Sequence, residues 1–404
     1  MPGSATTPGH PCACDGALGH VAFRVLDRVG TRNINPVVAQ WLAYAYPCRR
    51  FADILADNCA RLGADAVRYT FIAVDLHHLL LAGFYRRTLK DYSRNRRAQR
   101  YGGRLAACLS KEHVMRLVDW NIQWGRGVDG RVDLARIVRE ARALCDFDIL
   151  CLQEVTRGFH EGEAAGGLAG GPSADQFDEL AALLPGAAVI DAIGSDLPPV
   201  GAGLQRRQFG NAIVSRLPVR QVLRHSLPWP ADAARPSMLR VALEAVIETD
   251  AGAMRVVSTH LEFYSEAIRL AQVARLRELH KEACDHARRP AKAEKPNSPF
   301  ADTARPMSAI ICGDFNSAFE DSAYCRMLAP IPDAPAFADA WTCAHPDAPR
   351  AATVGLYDHE QWPDGPFACD FVFVTEDLKP RIAACEVDPN SRSSDHQPMW
   401  LELR

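Results

Sequence analysis

Short apolar runs recur through the last three-quarters of this chain, and most of them end on a polar side chain. Leu117-Val118-Asp119-Trp120-Asn121 ends on an amide, and Asp148-Ile149-Leu150-Cys151-Leu152-Gln153-Glu154-Val155 delivers a carboxylate. Arg255-Val256-Val257-Ser258-Thr259-His260-Leu261-Glu262 delivers an imidazole, and Ala309-Ile310-Ile311-Cys312-Gly313-Asp314-Phe315-Asn316 an acid and an amide. Runs of this length predict buried strands. Between the first two, Leu134, Ile137, Val138, Ala141 and Leu144 recur at helical spacing, which predicts a βαβ crossover. Ser265 to Arg289 predicts a long amphipathic helix, with Ile268, Ala271, Val273 and Leu276 inward and Arg269, Arg275 and Arg277 outward. Gly158 to Pro172 is Gly-rich, and Arg288 to Pro306 is charged and aperiodic; both predict exposed loops. The class is α/β.

The strand ends carry the chemistry. Residues two apart on an extended strand share a face, so Asp314 and Asn316 are expected to project side by side at a strand's carboxyl end. One can hold a water and the other can donate to an anionic oxygen. The bland alternative is a strand end closed by an Asx-turn. Glu154 follows apolar residues, where a carboxylate is costly unless it is paired or holds a cation. Ser393-Ser394-Asp395-His396-Gln397-Pro398 puts an acid beside an imidazole, ahead of a last strand from Met399 to Leu403. Asp370 opens the strand Asp370-Phe371-Val372-Phe373-Val374 and can accept from one ring nitrogen of His396, fixing its tautomer.

Composition bounds the picture loosely. The 404 residues are 48% hydrophobic and 24% charged, enough for a sizeable core. The 13 cysteines are odd in number, and Cys12-Ala13-Cys14 lacks metal-ligand spacing. Cys151 and Cys312 read as small core residues, which points to a reducing, cytoplasmic setting. The first residues lack the basic and apolar regions of a secretory signal. Phe71 to Phe84 is broken by Asp75, His77 and His78 and is too short to span a bilayer.

Charge divides the chain: residues 1–114 carry a net +8 and the remainder −11. Residues 1–35 read as a disordered tail and 36–114 as a helical, basic extension. Arg86, Arg87, Lys90, Arg94, Arg96 and Arg97 there interleave with Tyr85, Tyr92 and Tyr101. Three readings of the extension stay open: a nucleic-acid grip, a helical interaction module, or translated sequence ahead of a natural start at Met115.

In order, Trp120-Asn121, Leu152-Gln153-Glu154-Val155, Gly210-Asn211 through Arg216, Thr259-His260-Leu261, Gly313 to Asn316, Asp370 and Ser394-Asp395-His396 resemble the endonuclease/exonuclease/phosphatase superfamily. The resemblance covers residues 115–404. It implies a four-layer α/β sandwich of two mixed β-sheets flanked by helices, the extension remaining helical or poorly ordered. It also implies Mg2+, with Mn2+ as a substitute, and hydrolysis of a phosphate ester. By position, Glu154 resembles the principal metal ligand, with Asn121 and Asp395 beside it. Asp314 resembles the residue that holds or deprotonates the attacking water, and Asn316 a donor to the phosphate. His396, supported by Asp370, resembles the transition-state imidazole. His260 resembles a second histidine at the scissile phosphate, and Asn211 a substrate-side amide.

The leading expectation is a magnesium-dependent phosphodiesterase, most simply a nuclease, endo- or exo-, acting on nucleic acid. Arg206, Arg207 and the Arg240 region can meet phosphates near the cleft, although a net −11 opposes tight non-specific nucleic-acid binding. The second is a phosphatase or phospholipase C-type enzyme acting on a small ester or lipid headgroup. For that, Phe263-Tyr264 is the nearest candidate for an aromatic membrane contact. A non-catalytic binding protein would lack a metal- or water-handling residue, and none is missing.

Overall fold

The computed structural model describes residues 114–163, 166–200, 205–292, 298 and 305–404. The expected tail over 1–35, the basic extension up to residue 113, the Phe71–Phe84 stretch and much of the Arg288–Pro306 loop lie outside the described residues.

Twelve strands form two six-stranded sheets. The first has the order β11-β12-β1-β2-β4-β3, with β1 Met115–Asn121, β2 Ile149–Arg157, β3 Ala188–Leu197, β4 Arg207–Ser215, β11 Ile382–Val387 and β12 Met399–Leu403. The second has the order β5-β6-β7-β8-β10-β9, with β5 Val219–Ser226, β6 Val241–Thr249, β7 Gly252–His260, β8 Ala309–Asp314, β9 Phe337–Asp339 and β10 Asp370–Thr375. Each sheet has one parallel pair at its centre, β1/β2 and β7/β8, and antiparallel neighbours outside it. Antiparallel β4, β6, β10 and β12 therefore begin where the parallel strands end, so eight strand ends converge on one edge of the sandwich.

Strand alternation sorts the side chains into layers. Leu117, Ile149 and Cys151 of the first sheet meet Leu243, Val256, Ile310 and Val372 of the second in a core between the sheets. The opposite face of the first sheet, with Val118, Trp120, Leu150 and Leu152, packs on α1 (Leu134–Leu144) and α2 (Gln176–Leu183). The opposite face of the second, with Val257, Ile311, Phe371 and Phe373, packs on α3 (Glu266–Arg288) and α4 (Ser322–Leu328). A five-residue α5 (Ala340–Ala344) follows β9. The result is the expected four-layer sandwich. Each fully buried Leu, Ile or Phe contributes about 1.5–3 kcal/mol. Asp133 and Asp175 cap α1 and α2 by accepting from N–H groups of their first turns.

Two details of α3 depart from the sequence reading. Arg269 and Arg277 were expected to face solvent, but they tie loops down. Arg269 donates to the carbonyls of Glu262 and Phe263, and Arg277 to those of Met327, Ala329 and Pro330. Buried Gln272 and His280 sit among the helix's apolar positions. Among the described residues, no helix is long and apolar enough to cross a membrane.

Candidate active site

Asn121, Glu154, His260, Asp314, Asp370, Asp395 and His396 come together at the shared edge, where the carboxyl ends of both parallel pairs meet. Asn121 ends β1 and faces the space between the sheets, like Leu117 two turns of the pleat earlier. Its amide nitrogen lies 3.2 Å from Glu154 Oε1, 3.0 Å from Asp314 Oδ2 and 3.4 Å from His396 Nε2, three neighbours for two protons. Its oxygen accepts from Gln123 N.

Glu154 reaches the site by breaking the strand pattern. Leu150 and Leu152 face the helices, and regular alternation would send Glu154 after them. Instead the β2–β4 register slips between Gln153 and Val155, and Glu154 adopts φ +62°. The bulge re-aims the carboxylate into the cleft.

Asp314 and Asn316 correct the sequence reading. They are not neighbours on one extended strand: β8 stops at Asp314, Phe315 turns into the helix-side core, and Asn316 takes φ +48°. Asn316 N donates to Asp314 Oδ1, the Asx-turn that was the bland alternative. Asn316 Nδ2 donates to Leu261 O at 3.0 Å. Both side chains nonetheless line the cleft.

Asp370 stands directly opposite Asp314 on β10, on the same face. The His396 ring lies between them, with Nδ1 donating to Asp370 Oδ2 at 2.9 Å and Nε2 at 3.8 Å from Asp314 Oδ2. Trp120 Nε1 donates to the His396 carbonyl, and His396 N donates to Ser394 Oγ. Further back, Ser391 and Ser393 donate to the Glu140 carboxylate on α1, which pins the loop. His260 completes the floor, its Nε2 3.4 Å from Asp314 Oδ2 and its Nδ1 4.0 Å from Glu154 Oε1.

These groups are buried, and their protonation follows from it. Burial, then the nearby Asp395, pushes the Glu154 carboxyl up to about 7. Burial raises Asp314 to about 6, against the pull of His396. Burial also raises Asp395. Burial opposes charge on His396, yet Asp370, Asp395 and Asp314 hold it well above the usual histidine range. Burial, then Arg240 and His396, drives His260 well below that range. One imidazole is thus cationic and the other neutral.

Asn211 sits deeper. It is buried on β4, and its amide donates to the carbonyls of Val241 and Ser258 in the other sheet. Asp119 and Gln153, unremarked in the sequence reading, do similar work. Gln153 Nε2 donates to Asp119 Oδ1 and Ser258 Oγ. The cleft has a cavity volume of about 230 Å³, and Phe209, Met238, Arg240, Gln361 and Trp362 join its walls. The Arg240 region was expected to meet phosphates near the cleft, whereas Trp362 lies in an irregular segment with no pattern to flag it.

Glu154 and Asp395 supply carboxylate oxygens, which suit a hard divalent cation; Asn121 turns its nitrogen toward Glu154 and its oxygen to Gln123 N, so it joins that set only with its amide rotated. A half-buried Glu154 whose charging is opposed by the nearby, buried Asp395, with no Arg or Lys in ion-pair range of either among the described residues, fits such a cation. Two other clusters, Asp119/Cys151/Cys312 and Cys369/Asp370/His396, include thiols that burial pushes up, and these suit it less.

The sequence model of the Endonuclease/Exonuclease/phosphatase family matches residues 120–396. A search of curated proteins returned no match. Similar solved structures include an endonuclease/exonuclease/phosphatase from Beutenbergia cavernae, 24% identical over 72% of each chain with a TM-score of 0.48. The endonuclease/exonuclease/phosphatase from Bacteroides vulgatus is 20% identical over 72% of this chain and 98% of its own, TM-score 0.48. The human Nocturnin catalytic domain with bound sulfate is 19% identical over 72% of this chain and 94% of its own, TM-score 0.47. The family match runs from the first site strand to His396 itself, so the chain belongs to the endonuclease/exonuclease/phosphatase family and is, with its members, a hydrolase of phosphate ester bonds.

Proposed function

We propose that this protein is a Mg2+-dependent phosphodiester hydrolase, most simply a nuclease, that uses in-line attack by a water held on Asp314. The observation that carries this reading is the placement of His396 between two facing carboxylates, Asp370 and Asp314.

Asp314, with its carboxyl at about 6, is ionised at neutral pH yet basic enough to take a proton from water. Asn121 and His260 fix its Oδ2 from two sides. His396, kept cationic by Asp370, sets a charged N–H where negative charge develops on the phosphate. Neutral His260 and the second amide proton of Asn316 supply further donors to phosphate oxygens. Arg240, buried on the cleft wall, offers a guanidinium to the same anion. Asn211 acts through the sheets, holding β4 to β6 and β7 below the floor. Glu154, Asp395 and Asn121 are the residues that would hold Mg2+, with Mn2+ as a substitute. Such a cation would supply positive charge to a non-bridging phosphate oxygen. Positioning and electrostatics supply most of the acceleration in such a reaction.

The test is a substrate panel with the purified full chain and Mg2+: plasmid DNA, abasic duplex, RNA, sphingomyelin and inositol phosphates, with EDTA as control. Asp314→Ala, Glu154→Ala and His396→Ala are each expected to lower turnover by about two to four orders of magnitude while the circular dichroism spectrum is kept. A His396→Ala protein at wild-type rate would defeat the role given to that imidazole.

A further inference from the structure

The walls above the catalytic floor are aromatic and apolar: Phe209, Met238, Phe263, Tyr264 and Trp362. Phe263 and Tyr264 are 40% and 50% exposed, which is unusual for large side chains beside so polar a site. They form one continuous surface. Phe263 meets Tyr264 edge to face at 4.8 Å and Trp362 at 6.0 Å, and Trp362 in turn stands edge to face with His396 at 6.0 Å.

The loop that presents this wall is fastened from several sides. Glu262 N donates to Gln272 Oε1, and Tyr264 N donates to Glu262 Oε1. Arg269 donates to the carbonyls of Glu262 and Phe263. Gln272 Nε2 donates to Pro228 O, so one buried side chain clamps two loops. The exposed rings are therefore preset, and a ligand need not order them.

Two donors in the same walls lack partners. Trp362 and Arg240 are each 8% exposed, and the Nε1 of the first and the Nε of the second make no hydrogen bond. Buried donors of this kind call for an acceptor. Arg240 is the one Arg or Lys lining the cleft among the described residues, and residues 115–404 carry a net −11. A surface of that sign does not track a long run of phosphates. One guanidinium and one exposed aromatic face, that of Tyr264 with the other rings set edge to face behind it, match one phosphate and one ring.

Resting on the hydrolytic reading above, we propose that the cleft selects phosphate esters bearing an unpaired nucleobase, stacked on the exposed Tyr264 ring and flanked by Phe263 and Trp362. The phosphate lies toward Arg240. A base within a duplex has its faces covered and does not fit this description. A free nucleotide and a single-stranded end both do.

The experiment measures binding and hydrolysis with the full chain and Mg2+. Adenosine 5′-monophosphate and its ring-less counterpart, ribose 5-phosphate, are titrated by calorimetry. The nucleotide is expected to bind about ten- to a hundredfold tighter, the scale of one stacked base. Tyr264→Ala, at a half-exposed position, is expected to bring that ratio toward one, and Tyr264→Phe to keep it. Hydrolysis of a dinucleotide, a single-stranded oligonucleotide and the same strand in duplex then separates the sources. Cleavage of the dinucleotide alone indicates free nucleotides, and cleavage of both unpaired substrates indicates strand ends. Equal binding of the two phosphates, a preference for duplex, or hydrolysis confined to sphingomyelin vesicles and lost in Tyr264→Ala would overturn the proposal. Base-dependent binding with no hydrolysis of any ester would uphold this inference and sink the catalytic reading instead.

Discussion

At the scale of single residues, the decisive contrast is between two histidines a few ångströms apart that carry opposite charge states. Three carboxylates outweigh burial at His396, whereas at His260 burial, then Arg240 and His396, prevails, so the same side chain is held protonated in one place and neutral in the other. Asp314 lies within 4 Å of both rings. Burial raises its carboxyl to about 6 in the metal-free site and a bound cation would pull it back down, so kcat/KM should fall tenfold per pH unit on an acid limb at or below about pH 6, as Asp314 takes up the proton that disables it as a base. A pH–rate profile at saturating Mg2+ checks this; a profile with no acid limb would exclude Asp314 as the base. Most of these residues were legible in the sequence, because each stands where an apolar run starts or stops, or in the turn just ahead of one, and a polar side chain there needs a reason. Asn211 had the same signature and a different role. Sequence spacing marks a buried amide but does not say whether it points up into a cleft or across to a second sheet. Trp362 and Gln361 left no signal, since nothing periodic surrounds them.

At the scale of elements, the site depends on where regular structure fails. The strands that carry the site could be read from their apolar runs, and α1 and α3 from their helical spacing. The bulge that turns Glu154, and the left-handed turn at Asn316, could not. Both are backbone departures that the residue types permit but do not demand. Gly313 is the exception that the sequence did display. Its φ is +138°, and a Cβ there would stand 1.8 Å from the Thr259 carbonyl on β7. The glycine lets β8 approach β7 at the point where His260 and Asp314 pair. Gly313→Ala should therefore destabilise the fold by about 3–5 kcal/mol, from a forbidden dihedral and a backbone clash together. Urea unfolding measures it. A loss under about 1 kcal/mol would mean that the two strands can part without consequence, and that the close approach does not hold the site together.

At the scale of the whole molecule, catalysis and stability are linked through the charges packed between the sheets. Glu154, Asp314 and Asp119 have carboxyls raised to about 7, 6 and 8, and burial is the first cause in each. An acid whose pKa is higher folded than unfolded favours the fold while protonated, and that advantage fades as pH rises through the folded value. His396, also raised, contributes stability that is likewise lost as pH rises. The four groups act in one direction. His260 and His280, held below the usual histidine range, act the other way up to about pH 6.5. Above that the metal-free protein should lose stability through about pH 8, rather than hold the neutral plateau common among globular proteins. Glu154 alone, shifted from 4.5 to about 7, accounts for a loss on the order of 2–3 kcal/mol. A divalent cation held by Glu154 and Asp395 reverses that part, because it favours the ionised form. Thermal unfolding at pH 8 should show a midpoint that rises with Mg2+ concentration, by about 2.7 kcal/mol of stability at a hundred times Kd. Glu154→Gln should be more stable than the wild type in EDTA at pH 8 and indifferent to added Mg2+. A wild-type midpoint that ignores both pH and Mg2+ would show that these carboxylates are neither strained by one another nor relieved by a cation, and the assignment of Glu154 as a ligand would go with it.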